Sequence, residues 1–238
     1  AAGGVAATVL GSGIYAPIRA RPAPVRLLQV DLRAGRTREL ARGPFVDLEP
    51  SPDGRRVALL RTGRDLQAVA DRPVRGEAGS ETEAHHLVIL DLQTGRAVAP
   101  LPGRDLLPQL LSWSPDGSRL LVFGRDAGAL WTDGVLEAID PATGLGSRLG
   151  TDLRPILDLN PVRIWVDWMG NEPLVFGRRR AEPAARGDWF RLGAGGAVNL
   201  TAALPPPDRA QRLASPVALE VIAGGALWRI DGTGGHAE

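Results

Sequence analysis

The chain has 238 residues, and its 44% apolar and 23% charged residues are ordinary for a globular protein with a substantial core. All 28 basic residues are arginine, and 27 carboxylates reduce the net charge to +1, which argues against a dedicated surface for nucleic acid or membrane. The absence of cysteine excludes disulfides, thiol catalysis and cysteine-ligated zinc.

The first residues of the chain carry little functional signal. The sequence begins Ala-Ala-Gly-Gly without methionine, which we interpret as a processed or trimmed terminus or the edge of an excised fragment. Residues 11–16 superficially fit a dinucleotide fingerprint, but that motif needs a helix directly after it, and prolines follow instead. No apolar stretch is long enough to span a bilayer, so we expect no membrane partner.

A Ser-Pro-Asp-Gly turn followed by a β-rich run occurs twice, at 51–60 and 114–123. Proline at the second turn position presets φ, aspartate at the third accepts hydrogen bonds from nearby backbone, and glycine closes the turn. The motif predicts a tight turn between two strands. We therefore interpret Asp53 and Asp116 as turn residues and not as ligands.

A second motif is a short apolar strand that runs into Asp-x-x-x-Gly, which is typical of a β-hairpin. Clear copies lie at 28–35, 88–95 and 137–144. Weaker copies of the two motifs follow at 168–178, 189–196 and 227–234.

Together the two motifs define repeat units of four strands and about 40–50 residues, which is the spacing of a β-propeller blade. A β-sandwich also contains short strands, but it does not predict a turn and a hairpin that recur in fixed order. We therefore predict an all-β fold, a single propeller domain or part of one over 1–238, with four to five blades. The predicted units are 5–42, 45–100, 108–150, 162–201 and 212–238.

The segment 62–84 is a polar insertion within the first complete unit. Long loops in compact repeats are either functional or disordered. We expect disorder at its centre, 76–83; the alternative is an ordered subunit contact or a cover for the central channel.

The paired motifs resemble the WD-like repeats of TolB-type propellers and the N-terminal propeller of prolyl oligopeptidase-family serine peptidases. Two details favour the peptidases: Ile-Asp-Pro-Ala-Thr-Gly at 139–144, and Asp-Trp-Phe-Arg-Leu at 188–192 followed by Val-Asn-Leu-Thr at 198–201. The second is similar to a phrase of bacterial members, which include acylaminoacyl peptidases and lasso-peptide isopeptidases. The resemblance covers about residues 25–235.

The resemblance implies a propeller module that gates substrate access and docks a catalytic α/β-hydrolase domain, with a peptide as the substrate. No serine in this chain has glycine at both flanking positions of a Gly-x-Ser-x-Gly elbow, so we predict no catalytic residues here. The family's rings usually have seven or eight blades, so this chain is a part of one or closes a smaller ring. The alternative is a stand-alone periplasmic TolB-like propeller that binds a protein partner.

Similar residues end the second strand of three units: Gly-Arg-Asp at 63–65, Gly-Arg-Asp at 124–126 and Gly-Arg-Arg at 177–179. In a propeller the loops after these strands emerge on one face, so the charges would form a partial ring around one mouth of the channel. Such a ring could bind a peptide carboxylate, dock a catalytic domain or only keep the face solvated.

Trp131 lies in a predicted loop, and we expect it to be exposed. The candidate substrate- or partner-binding residues are Arg64, Asp65, Arg125, Asp126, Trp131, Arg178 and Arg179.

Other residues suggest no further site. His85 and His86 are adjacent on a predicted strand and point to opposite faces, so they are poorly placed to share a metal. We interpret the other five tryptophans as packing between blades. We predict no cofactor, no metal and no nucleic-acid partner, and we expect an exported bacterial protein, periplasmic or secreted, with the cytoplasm as the alternative.

Overall fold

The computed structural model describes residues 25–65, 83–127, 129–159, 162–213, 218–231 and 234–237. In these ranges the regular structure is β-strand, apart from one 3-10 turn at Trp131–Asp133. The chain divides into two compact units, 1–44 and 45–238. Residues 5–24 of the predicted unit 5–42 lie outside the described residues, and these include the dinucleotide-like segment. Residues 66–82, the centre of the 62–84 insertion, also lie outside them.

The first unit contains an antiparallel hairpin of β1 (Val25–Asp31) and β2 (Arg36–Gly43). Its turn is closed by the side chain of Asp31, which accepts hydrogen bonds from the backbone N–H groups of Arg33 and Ala34 at 2.9 and 3.0 Å. Gly35 supplies the positive φ, +62°, that the turn requires. The hairpin predicted from Asp-x-x-x-Gly is therefore confirmed.

The second unit begins with a four-stranded antiparallel sheet in sequential order, which we call blade 1. Its strands are β3 (Phe45–Pro50), β4 (Arg56–Asp65), β5 (Glu83–Asp91) and β6 (Ala97–Val98). The apolar residues of β4 from 57 to 60 are buried, because this central strand is covered on both faces.

Blade 2 has the same order, but its first strand is interrupted. Its strands are β7 (Arg104–Leu106), β8 (Ser112–Trp113), β9 (Leu120–Asp126), β10 (Val135–Ile139) and β11 (Gly146–Leu149). Strands β7 and β8 both pair with β9, so together they act as the first strand. The blade therefore begins at 104, four residues before the predicted unit 108–150.

Blade 3 repeats this arrangement with a larger interruption. Its strands are β12 (Leu153–Pro155), a small inserted hairpin of β13 (Asp158–Leu159) and β14 (Val162–Arg163), then β15 (Val166–Met169), β16 (Glu172–Arg179), β17 (Asp188–Gly193) and β18 (Gly196–Asn199). Strands β12 and β15 both pair with β16. The first strand thus begins at 153, where the sequence pattern predicted 162.

Blade 4 is a four-stranded antiparallel sheet in sequential order. Its strands are β19 (Pro207–Leu213), β20 (Leu219–Ala223), β21 (Ala226–Asp231) and β22 (Gly234–Ala237). The sequence pattern predicted only a partial unit at 212–238, because the first strand, β19, has no recognisable repeat motif.

Ser-Pro-Asp-Gly turns connect the first and second strands in blades 1 and 2. In blade 2 the Ser114 hydroxyl donates to Asp116 at 2.6 Å and accepts from the Arg119 N–H at 2.9 Å. Ser51 makes the same two bonds to Asp53 and Arg56. The serine hydrogen bonds hold the pKa of Asp53 and of Asp116 below the ordinary value. The interpretation of both aspartates as turn residues is confirmed.

Three buried apolar clusters join consecutive blades. One lies between blades 1 and 2 around Leu60, Ile89 and Leu120, and the others lie between blades 2 and 3 and between blades 3 and 4. Consecutive four-stranded antiparallel sheets that share cores in chain order are the blades of a β-propeller, so the predicted all-β propeller fold is confirmed.

Two tryptophans at equivalent positions connect neighbouring blades. The indole N–H of Trp113 in blade 2 donates to the backbone carbonyl of Glu49 in blade 1 at 3.0 Å. The indole N–H of Trp168 in blade 3 donates to the Ser112 hydroxyl of blade 2 at 3.0 Å. The predicted packing role of these tryptophans is confirmed, since both are buried and satisfy their polar group across the interface.

Candidate binding surface

The Gly-Arg motif that ends the second strands lies at equivalent positions in blades 1, 2 and 3. In blade 3, Gly177 allows the first strand to approach closely, because a Cβ at this position would lie 2.8 Å from the Arg154 carbonyl oxygen. Arg64 and Asp65 end β4 in blade 1, and their side chains lie outside the described part of the structure.

The arginine of the motif in blade 2 is buried. Arg125 is 4% exposed, and its Nε donates to Oδ2 of Asp105, directly opposite on β7, at 2.8 Å. Its Nη1 donates to the carbonyl of Ala129 at 3.0 Å, and its guanidinium carbon lies 4.0 Å from the ring centroid of Trp131. Arg125 therefore fixes the loop after β9 to the first strand of the same blade.

Asp105, the partner of Arg125, is an ionised carboxylate at the junction of blades 1 and 2. It is 1% exposed, and its Oδ1 accepts the backbone N–H of His85 from blade 1 at 3.0 Å. Burial by itself raises the pKa of Asp105, but the hydrogen bonds from His85 and Arg125 and the charge of Arg125 outweigh this and hold the pKa below the ordinary value. The group therefore links two blades in its charged form.

The expectation that Trp131 is exposed is wrong. It is 3% exposed and stacks on Phe123 with the ring centroids 6.2 Å apart, and the Arg125 guanidinium also lies over its ring. Aromatic stacking and a cation–π contact are both favourable, and together they hold the loop against the blade. Gly134 permits this fold, because a Cβ there would lie 2.4 Å from the Phe123 ring.

Asp126, the last residue of the motif in blade 2, is paired and its side chain is 79% exposed. Arg104 on β7 donates to its carboxylate and to the Gly124 carbonyl, and lies 3.1 Å from the buried Glu137 carboxylate.

Arg104 and Asp105 were not predicted, although the sequence contains a signal for them: residues 103–105 read Gly-Arg-Asp, the same tripeptide as 124–126. Two antiparallel copies place each arginine opposite the aspartate of the other.

In blade 3 both arginines of the motif bind carbonyl groups of their own blade. Arg178 donates to the carbonyl oxygens of Pro183 and Ala185 at 2.7 and 3.3 Å. Arg179 donates to the Asp152 carboxylate and to the Ala197 carbonyl, and its guanidinium lies over Phe190. Within the described ranges, no hydrogen bond or ion pair joins these arginines to Arg125, Asp126 or Trp131. The binding role of the candidate residues stays a prediction.

A cavity of about 320 Å³, which the sequence did not predict, lies between the first strands of blades 2 and 3. It forms where both first strands are interrupted, and two short segments line it, 107–112 and 163–166. Leu107, Leu110 and Ile164 are buried in the wall, whereas Gln109 and Arg163 are exposed. In a propeller the first strand of each blade lies nearest the central channel, so the cavity belongs to that side of the blades.

The Asn-Leu-Thr segment that carried the family resemblance has a structural role. The Thr201 hydroxyl donates to the Asp188 carboxylate at 2.8 Å, and the Asn199 amide donates to the same carboxylate at 3.1 Å. Arg186 completes the cluster, with 3.1 Å to Asp188. These contacts tie the last strand of blade 3 and the residues after it to the neighbouring strand β17.

The two histidines lie on β5 with different environments. His85 is buried with its Nδ1 3.6 Å from Asp105, and His86 is half-buried. Within the part of the chain that the structure describes, no group of three or more His, Asp or Glu side chains is placed to hold a metal ion. In the same part no helix has the length and apolarity needed to cross a membrane.

The fold and these sites define the chain as a β-propeller module of at least four blades. No protein-family profile matches its sequence, and no curated protein matches it. The chain is similar in structure to dipeptidyl peptidase 4 from Porphyromonas gingivalis, with a TM-score of 0.55 and 11% identity over 89% of this chain and 36% of the other.

It is also similar to a puromycin hydrolase, with a TM-score of 0.53 and 18% identity over 87% of this chain and 30% of the other. TolB from Acinetobacter baumannii aligns at a TM-score of 0.47 and 16% identity, over 90% of this chain and 48% of TolB. The chain spans less than half the length of each of these proteins. The first two matches support the propeller fold on independent grounds.

Proposed function

We propose that this chain is the propeller module of a prolyl oligopeptidase-like serine peptidase, which gates substrate access and docks a catalytic α/β-hydrolase domain. The observation that supports this function is the structural similarity of almost the whole chain to about a third of two hydrolytic enzymes, at TM-scores above 0.5. A module of this size leaves most of such a protein for further blades and a catalytic domain.

The proposed partners are the catalytic domain and a peptide substrate. The exposed carboxylate of Asp126 and the half-buried arginines Arg178 and Arg179 lie at strand ends that emerge on one face of a propeller, where a docked domain would meet them. The chain itself supplies no nucleophile elbow, so the serine, histidine and acid of the reaction belong to the catalytic domain. We place the protein in the periplasm or outside the cell.

Gating has a direct test in the size of the substrate. The natural gene product should cleave short chromogenic peptides and leave a folded protein with the same cleavage sequence in an exposed loop intact. The unfolded, alkylated form of that protein is the matched control for sequence. A fluorophosphonate should abolish cleavage, because the reaction uses an activated serine.

The possible results separate the two functions considered for this fold. Serine-dependent cleavage limited to short peptides supports the peptidase module with a gate. Equal cleavage of short and folded substrates contradicts gating while retaining the peptidase. No cleavage by the natural gene product contradicts the peptidase assignment and leaves the alternative, a propeller that binds a protein partner.

A further inference from the structure

The cavity between the first strands of blades 2 and 3 has the composition of a binding site for one apolar group with one negative charge. Seven of its ten lining residues are leucine, proline, isoleucine, tryptophan or valine, and the others are Gln109, Ser112 and Arg163. Its volume, about 320 Å³, lies at the lower end of the range for small-molecule pockets. It therefore accommodates one large side chain and not an extended peptide.

The wall contributed by blade 2 is held in a fixed conformation. Gln109 has a φ of +65°, which is uncommon for a residue other than glycine. Its backbone N–H donates to Oδ2 of Asp47 in blade 1 at 2.8 Å, and Leu110 beside it is buried. A left-handed residue held by a neighbouring blade at the edge of a cavity is typical of a preorganised site.

The charge at the cavity comes from blade 3. Arg163 is exposed and is the single charged residue of the lining. Asp158 lies directly opposite it in the β13–β14 pair, but among the described residues Arg163 has no ion-pair or hydrogen-bond partner. Asp47 of blade 1, which contacts this wall through Gln109, already accepts the N–H groups of Leu48 and Gln109.

We propose that this cavity binds the C-terminal residue of a peptide, with the apolar side chain in the recess and the α-carboxylate on Arg163. A guanidinium presents two parallel N–H donors that match a carboxylate, and the apolar walls favour leucine or phenylalanine at the terminal position. The inference goes beyond the proposed function, because it requires no catalytic domain. It gives the channel side of the blades a selectivity for free peptide termini.

The test is calorimetric titration of the natural gene product, treated with a fluorophosphonate so that no peptide is consumed. The probes are acetyl-Gly-Ala-Phe with a free C-terminus, the same peptide as its C-terminal amide, and 3-phenylpropionate. The variants are Arg163→Gln and Arg163→Lys. Arg96→Gln is the matched control, because Arg96 is an exposed arginine in the β5–β6 turn and does not line the cavity.

We expect the free acid to bind at least tenfold more tightly than the amide. Arg163→Gln should weaken binding of the free acid at least tenfold and leave the amide unchanged, Arg163→Lys should restore part of the loss, and Arg96→Gln should have no effect. Equal binding of acid and amide, or no effect of Arg163→Gln, would overturn the proposal. Binding of 3-phenylpropionate as tight as that of the peptide would instead identify a small carboxylic acid as the occupant and overturn the peptide assignment.

Discussion

Blades 2 and 3 end their second strands with closely related tripeptides but use them differently. In blade 2 the tripeptide lies opposite a second Gly-Arg-Asp, so Asp105 faces Arg125 and Arg104 faces Asp126. In blade 3 the residue opposite Arg178 is another arginine, Arg154, and Arg178 binds the carbonyl oxygens of Pro183 and Ala185 instead. The same backbone position therefore carries a buried ion pair in one blade and loop contacts in the other.

This difference shows that the function of a charged strand end is set by the residue opposite it in the sheet. A carboxylate at that place draws the arginine into the blade and orders the following loop, as Asp105 does for Arg125 and Trp131. Without it the arginine stays half-buried at the surface, where a partner can reach it. On this comparison, blade 3 is the better candidate for docking contacts.

The largest effect is expected from removing the carboxylate of blade 2. Asp105→Ala leaves Arg125 buried without its charge partner, which typically costs about 3–5 kcal/mol. Urea unfolding followed by tryptophan fluorescence measures the free energy of unfolding. The matched change in blade 3, Arg154→Ala, should cost less than about 1 kcal/mol, because that side chain is half-buried and has no such partner among the described residues. Equal losses would contradict the distinction between the blades.

The contribution of Asp105 should also depend on pH. Its folded-state pKa lies below the unfolded value of about 3.9, so its stabilisation is present above that pH and is lost as the pH falls through the folded-state pKa. The difference in unfolding free energy between the wild type and Asp105→Ala should therefore narrow below about pH 4. A difference that stays constant from pH 6 to pH 3 would show that Asp105 acts only through its shape.

Glycine at the strand end should matter more in blade 3 than in blade 2. A Cβ at Gly177 would meet backbone atoms of Arg154 and Pro155, whereas one at Gly124 would first meet the flexible end of Leu106. We expect Gly177→Ala to cost about 2–3 kcal/mol and Gly124→Ala about 1 kcal/mol, in the range typical of overpacking. Thermal melts of the two variants test the order, and a larger loss for Gly124→Ala would be inconsistent with it.

A smaller loss of stability is expected when the hydrogen bond between blades 2 and 3 is removed. Trp168→Phe removes the indole N–H that donates to Ser112 and should cost about 1–2 kcal/mol. Trp165→Phe is a suitable control, because Trp165 packs on Phe176 without an indole hydrogen bond among the described residues. If both variants lose the same stability in urea, the hydrogen bond between blades contributes nothing beyond packing.

The smallest effect is expected at the exposed half of the reciprocal pair in blade 2. Asp126→Asn should change the unfolding free energy by less than about 0.5 kcal/mol, since its side chain is 79% exposed and its pairing with Arg104 is screened by water. Unfolding at low and at high salt provides the measurement. A loss comparable to that of Asp105→Ala would mean that both ion pairs act as one buried unit.

The parts of the fold that depend on local sequence were predictable. The turns at Ser51 and Ser114 follow from residues that bond to one another within five positions, and the hairpins follow from Asp-x-x-x-Gly. The interrupted first strands of blades 2 and 3 were not predictable, because their pairing is with a strand that comes later in the chain. The cavity depends on those interruptions and was missed with them.

The candidate site shows the same difference between features set by local sequence and features set by residues distant in the chain. The arginines at the strand ends could be found as a repeated tripeptide, but burial of Arg125 depends on Asp105, twenty residues earlier in the chain. Comparison of residues 103–105 with 124–126 would have suggested the reciprocal pairing. The burial of Trp131 offered no such signal, because a single tryptophan in a loop does not show which surface it covers.

The most direct test of the proposed peptidase module is the intact mass of the natural gene product, measured together with fluorophosphonate labelling of the same sample. The account predicts a mass well above the 25.2 kDa of this chain, with one labelled serine outside it. A mass near 25 kDa with no label would contradict the peptidase module and leave a binding propeller whose partner should be sought directly.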